Sequence, residues 1–543
     1  MSDSSESPTS EAREIGRASG ILASFTLLSR LLGLVRNLVL SHFFGASFVA
    51  DAFVAAFTIP NALRRLLGEG ALTPAIVSLL TRALKESKGT GTAALAEWQK
   101  FISNTFVWLT LALLAITGVA VIIAPALVRL YVPEFVEVPG KFELTVSLTR
   151  FLFPFIIFIG WFAFFMGVLN SFRSYAISAA GPAVLNLIVI CGVPPLLIWK
   201  DFDPIQGIFV FGGAFLVGGL FQAIVQLPDL KRFKALPRLY FRWKDPRVTE
   251  LLLMLGPSVF SMGVYQLNII VNRVFASGID GAVSHLFYAD LLLELPVSII
   301  ATSVGTAAVT SFSRLTADQN KEGLSRTFGI SMILIWALAL PAMGGLIALA
   351  LPIVSTLYFS GKFQWADVLI TSDSVMTYAL GLPFFATLRI ILPLFFAEKD
   401  TRTPALVGIG ALCVNFIAAW TFSKWLSTPG IALATSVSSA FHVSILVLII
   451  FKRHRDFPWR SLGSAFLKMT FAAIVMAAAL FFLLSKMSKL EVWTHHGIST
   501  EKIIILAFLV GAGIFVYFGV TYLIRVPHLN DWMKRLFTRL RSR

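Results

Sequence analysis

The chain has 543 residues, 57% of them apolar and only 14% charged, with a mean hydropathy of +0.81. One soluble core cannot bury that much apolar surface, so a soluble enzyme is excluded. The formal net charge of +16 does not signal nucleic acid either, because the cations lie mainly in short loops between apolar runs, the positive-inside pattern of a membrane protein.

Residues 1–17 are polar and begin acidic, so no cleaved secretory signal is expected. From about Ile21 to Ile524, apolar runs of roughly 20 residues recur, each long enough to cross a bilayer, and they divide into about 14 spans. Their centres fall near Leu31, Phe57, Leu111, Ile157, Leu187 and Gly218 within residues 18–232. A basic cytoplasmic loop, 233–246, separates these from centres near Val264, Ser298, Trp336, Leu380, Leu412 and Ala440 within 247–455. Residues 456–525 hold the last two, near Ala473 and Leu509, and 526–543 form a basic cytoplasmic tail. The second run continues past Pro60, Gly68 and Gly70 toward Leu84, which predicts a bent or broken helix. Cys191 and Cys413 sit inside apolar runs and read as small buried hydrophobes.

With both termini inside, about 29 of the 45 lysines and arginines fall in termini and inner loops and about 8 in outer loops. The strongest blocks, Lys231 to Arg247 and Lys452 to Arg460, read as topogenic anchors, with a phospholipid-surface role as the alternative. A faint repeat accompanies the runs: Arg173, Gly181 and Asn186 recur as Arg402, Gly410 and Asn415, and Ile59-Pro60 meets Leu295-Pro296. An offset of six helices gives both copies one orientation. The expected fold is therefore an all-α polytopic membrane protein of about 14 transmembrane helices, two parallel six-helix lobes plus an extra C-terminal helix pair.

Phosphate-loop, HExxH, CxxC and GxSxG motifs are missing, and the histidines are scattered apart from His495-His496. No catalytic or metal site and no cofactor is expected; a gradient or membrane potential would drive transport. Charge placed in the spans carries more information. Arg30 and Arg36 lie in the first span and Arg64 and Arg65 in the second, where a mid-bilayer arginine costs about 2.5–3.5 kcal/mol. Six residues of helix separate Arg30 from Arg36 by roughly 9 Å and about 120°, so both can face one broad cavity but not one narrow stripe. Asp51 and Glu69 are the available counter-charges, and structural pairing is the competing reading, most strongly for Arg65. A net positive cavity wants an anion, and the planar guanidinium fork fits a phosphate or diphosphate. In the second half Arg273 and Arg389 are balanced by Asp290 and Glu294, so structural pairing is at least as strong a reading there.

These residues stand in a familiar pattern. The stretches SRLLGLVRN (Ser29 to Asn37), FGA (Phe44 to Ala46) and ADAFVAAFTIPNALRRLLGEGAL (Ala50 to Leu72) closely resemble the MurJ (MviN) lipid II flippases of the multidrug/oligosaccharidyl-lipid/polysaccharide transporter superfamily. Further matches are GVLNSFRSYAISAAGPAVLN (Gly167 to Asn186), YADLLLELP (Tyr288 to Pro296), GKF (Gly361 to Phe363) and FFAEKDTRTP (Phe395 to Pro404). The resemblance implies a central cationic cavity in a multi-pass protein of the bacterial inner membrane. The implied substrate is lipid II, undecaprenyl-diphosphate-linked MurNAc-pentapeptide-GlcNAc, moved to the outer leaflet for peptidoglycan synthesis. It implies that Arg30, Arg36 and Arg64 bind the diphosphate, with Asp51, Glu69, Arg65, Arg273 and Glu294 gating or pairing charge. Expected partners are membrane lipids and cell-wall synthesis proteins. Two positions depart from the pattern: Asn37 stands where an acid often follows the second arginine, and Leu291 where an arginine often follows YAD. Arg273 is a candidate to replace the charge missing at Leu291. The alternatives are a flippase for another undecaprenyl-linked oligosaccharide, an ion-coupled small-molecule antiporter, which the positive charge disfavours, and a scaffold, which leaves the arginines without a purpose.

Overall fold

The computed structural model describes residues 8–65, 72–87, 92–172, 174–200, 203–300, 304–487 and 490–526. Among them there is no strand, and the all-α polytopic expectation holds. Two compact units divide the chain: Met1–Leu40 with Ser47–Gln266, and Ser41–Ala46 with Leu267–Arg543. The helices leading through the first are α1 (Pro8–Phe44), α2 (Phe48–Arg64), α3 (Leu72–Ser87), α4 (Thr92–Ile122), α5 (Ala124–Tyr131), α6 (Lys141–Leu152), α7 (Phe155–Ser171), α8 (Ala176–Lys200), α9 (Pro204–Ile224) and α10 (Leu227–Arg232). Helix α11 (Pro246–Ser277) runs into the second, which continues with α12 (Ala282–Ile300), α13 (Thr306–Ala317), α14 (Lys321–Tyr358), α15 (Trp365–Ala379), α16 (Leu382–Ala397), α17 (Arg402–Leu426), α18 (Thr428–Arg453), α19 (Trp459–Met487), α20 (Leu490–Thr494) and α21 (Thr500–Leu523).

Among the described residues, ten spans are long and apolar enough to cross a bilayer, or eleven with α15 and α16 joined across a 41° bend. The three expected spans outside that count are α2, α11 and α12, which carry Arg64, Arg273 and Glu294. The break expected beyond Pro60, around Gly68 and Gly70, lies outside the described residues, and Pro60 itself sits inside α2, which is described to Arg64. Proline bends α14: Pro352 removes a backbone donor, and Leu349, three residues earlier, leaves helical geometry. One expectation fails, as Cys191 on α8 and Cys413 on α17 are exposed. A membrane helix has a lipid-facing side as apolar as its packed side, so an apolar run does not say which way a cysteine points.

Apolar packing fills each unit separately. In the first, Ile76 and Leu80 of α3, Phe101 and Ile102 of α4, and Phe162 and Phe165 of α7 form one buried cluster. In the second, the appended pair α19 and α21 packs on itself and on α14. A fully buried lysine fixes its end: Lys502 donates through Nζ to Ser355 Oγ (3.1 Å) and His495 O (2.6 Å) and lies over the Phe359 ring.

The repeat is clearer in three dimensions than in sequence. Residues 35–46 correspond to 271–282 at a constant offset of 236, which also relates Pro60 to Pro296. Gly45 and Gly281, related by that offset, both take left-handed backbone angles (φ +62° and +69°) before the next helix.

Short segments far apart in sequence meet in the second unit. Tyr288 donates its hydroxyl to Gly45 O (2.9 Å), Lys362 N–H donates to His42 O (2.8 Å), and the rings of Tyr288, Tyr358 and Phe363 pack together. The FGA, YAD and GKF stretches are therefore parts of one knot. A Cβ at Gly361 would lie 2.0 Å from His42 O, so only glycine fits there.

At the other end of the same unit, Asp400 precedes α17 and accepts from Thr403 N–H (2.9 Å), Thr403 Oγ (2.7 Å) and Arg453 Nη2 (2.7 Å). The Thr403 backbone bond leads in holding its carboxyl down at about 2, helped by the Thr403 hydroxyl and Arg453. A depressed carboxyl stabilises the fold above its unfolded value of 3.8 and loses that effect only as the pH falls through about 2. Asp400→Asn should therefore lower the melting temperature of the detergent-solubilised protein equally at pH 7 and pH 5. A deficit that vanishes by pH 5 would contradict the assignment.

Candidate functional site

Arg36, half-buried on α1, is gripped by two side-chain amides and an aromatic ring. Its Nη1 donates to Asn186 Oδ1 on α8 (3.0 Å), while Nε and Nη2 donate to Asn37 Oδ1 (3.3 and 3.2 Å). The guanidinium also lies 4.7 Å over the Phe215 ring of α9. Asn186 is fixed in turn, because its Nδ2 donates to Ser29 O (2.9 Å), about two turns back along α1. Neutral acceptors orient the guanidinium without adding negative charge. Asn37 thus acts as an acceptor at the position where the family pattern often has an acid.

Arg30 is half-buried six residues earlier on the same helix. At the far end of α2, Arg64 Nε donates to Asn61 Oδ1 (3.0 Å), and Arg65 caps the helix through its backbone N–H. Glu69 lies outside the described residues.

Asp51 differs most from the sequence expectation. It sits in the first turn of α2, fully buried, with Lys141 Nζ of α6 at 2.8 Å; Lys141 is itself 2% exposed and lies 4.2 Å over the Phe135 ring. Thirteen residues of helix place Asp51 roughly 20 Å along α2 from Arg64. Lys141 is thus a charge partner of Asp51 that the sequence does not announce, because it reads as an ordinary outer-loop cation. Only a separation of 90 residues in sequence links the two, which no local pattern reveals.

In the second unit the position equivalent to Arg36 is Asn272. Asn415, the counterpart of Asn186, donates to Asn272 Oδ1 (2.9 Å), and Asn272 donates to Thr435 Oγ (2.8 Å). The two related asparagines thus make the same tie in both units, once to a cation and once to an amide. Arg273 reaches α12, where Nη1 donates to Val283 O (2.6 Å) in its first turn. Asp290 is exposed, Leu291 and Glu294 are half-buried one turn apart, and Arg389 on α16 is exposed.

Comparison with known proteins gives this arrangement a context. Residues 40–499 match the family profile described as lipid II flippase MurJ. A protein of Burkholderia cenocepacia named lipid II flippase MurJ is 32% identical over 471 residues, covering 85% of this chain and 88% of its own length. A solved lipid II flippase MurJ in an inward closed conformation is similar at a TM-score of 0.75 and 26% identity, over 93% of this chain and 98% of that one. An inward-facing multidrug resistance MATE transporter of the MOP superfamily shares the fold at a TM-score of 0.65 and 14% identity, over 80% of this chain and 98% of that one.

The buried pair gives a sharp test. Removing one partner leaves an uncompensated buried charge, which costs about 3–5 kcal/mol. Asp51→Leu and Lys141→Met alone should each sharply reduce the yield of folded protein and its melting temperature. The double variant should recover most of both, and a double variant as unstable as the sum of the singles would refute the pairing.

Proposed function

The chain belongs to the lipid II flippase MurJ family, and from that membership we propose that it carries lipid II from the inner to the outer leaflet of the bacterial inner membrane. The observation that carries this reading is Arg36, pre-set on α1 by Asn37, Asn186 and Phe215, with Arg30 on the same helix. A diphosphate crossing hydrocarbon must give up its hydration, and fixed guanidinium groups replace that hydration without reorganising. Bidentate geometry then selects a phosphate over a diffuse anion. Arg64 and Arg65 at the end of α2 extend the same positive character, and the lipid tail stays in the bilayer while the headgroup passes by alternating access. In the second unit Arg273 and Glu294 serve as gating or charge-pairing residues, near Leu291 where an arginine often follows YAD. Energy comes from an ion gradient or the membrane potential, which supplies about 2.3 kcal/mol per charge per 100 mV. Both termini lie in the cytoplasm.

Depletion of the protein should accumulate lipid II on the inner leaflet; accumulation of a different lipid-linked glycan would overturn the substrate. Arg30→Ala, Arg36→Ala and Arg64→Ala should each abolish complementation while the protein still inserts, and lysine should rescue only partly because it lacks the fork. Asn186→Ala should lie between, since it frees Arg36 without deleting it. Full activity in all three alanine variants would remove the binding role.

Orientation has its own test. With Cys191 and Cys413 replaced by serine, a cysteine at Arg238 should be shielded from an impermeant thiol reagent in intact spheroplasts, and one at Gly278 should react. The reverse pattern would invert the topology.

A further inference from the structure

The connection between α10 and α11 is neither helix nor strand, yet it is pinned. Arg238 N–H donates to Ser103 Oγ (2.9 Å), Arg242 N–H to Asn104 Oδ1 (2.7 Å), and the Trp108 indole N–H to Arg242 O (3.2 Å). Asn104 Nδ2 also donates to Asp245 Oδ2 (3.0 Å), drawing the segment's acid inward. Ser103 and Asn104 are buried on α4, so the segment is a strap laid across that helix.

What the strap presents outward is unusual for a surface facing water. Leu239, Phe241 and Trp243 are 101%, 48% and 70% exposed, alternating with Arg238, Arg242 and Lys244, which are exposed too. The rings of Phe241 and Trp243 gather on Trp108 at 5.4 and 5.0 Å. One helical turn beyond Trp108, at Leu111, the exposed apolar face of α4 begins, and it continues through Leu114 and Val119. The aromatic trio therefore sits where the strap's cover of α4 ends and the helix's exposed apolar face begins, as aromatic belts do at a membrane boundary.

We propose that this strap is a binding site for anionic phospholipid in the cytoplasmic leaflet, with the apolar side chains seated at the headgroup boundary and Arg238, Arg242 and Lys244 contacting lipid phosphates. Charge complementarity selects the occupant: cations interleaved with apolar side chains match a surface that is negative outside and apolar beneath. Topogenic anchoring explains the cations but not three exposed apolar side chains held in place by hydrogen bonds to α4. The proposal is independent of the substrate reading above, because its test contains no lipid II.

The test uses the full-length protein with Cys191→Ser, Cys413→Ser and Leu239→Cys, labelled with bimane at position 239 and reconstituted in phosphatidylcholine vesicles. Brominated phosphatidylglycerol should quench the label roughly severalfold more effectively than brominated phosphatidylcholine at the same mole fraction. Adding Arg238→Gln, Arg242→Gln and Lys244→Gln together should equalise the two lipids while quenching persists, and high salt should do the same to the unsubstituted strap. Equal quenching by both lipids with the native cations would overturn the proposal, as would a preference that survives both salt and the triple substitution. Quenching by neither lipid would place the strap in water and overturn it outright.

Discussion

Hydrocarbon offers no hydrogen bonds, and that constraint governs the buried polar side chains of this molecule. A charged or amide side chain within the spans must find its partners inside the protein, so each becomes a fixed point that ties two helices in one register. Asn186 ties α8 to α1, Lys141 ties α6 to α2, Arg273 ties α11 to α12, and Lys502 ties the start of α21 to α14. Apolar packing alone distinguishes poorly between neighbouring arrangements of greasy helices, whereas these ties are specific. Much of the cost of placing charge in the membrane is returned as definition of the fold.

The repeat shows how one scaffold serves two purposes. In each unit an asparagine from the corresponding helix reaches the same position on its neighbour, yet that position is Arg36 in one and Asn272 in the other. The tie is kept while the charge is not. The positive charge at this position is therefore a property of the first unit's side chain, set on a tie that both units share. This agrees with the distant likeness to a multidrug transporter, in which the fold is common and the site need not be.

The all-helical, many-spanned architecture is legible in the sequence, because apolar length is a local signal. Three kinds of information are not. Asp51 reads as a counter-charge for the arginines, but its partner at 2.8 Å is ninety residues away and looks like a loop cation. Cys191 and Cys413 show that hydropathy marks a helix as membrane-embedded without saying which side faces lipid. FGA, YAD and GKF are separate stretches until the structure brings Gly45, Tyr288 and Lys362 together. FFAEKDTRTP proves in part to be a brace, with Glu398 and Asp400 gripping His454 and Arg453.

That knot of distant stretches sets a timetable for biogenesis. His42 lies in the last turn of α1, beside the turn at Gly45-Ala46 and among the first segments to emerge, and its partners around Gly361 emerge 319 residues later. At a synthesis rate of about 5–20 residues per second, the turn waits on the order of tens of seconds before its partners arrive. Contacts of such long sequence separation form late and close a long loop, so their entropy is settled only when most of the spans are already inserted. The last large step of maturation is then the docking of an early turn onto a late segment, and a chain truncated before Gly361 can insert its helices without ever completing that turn.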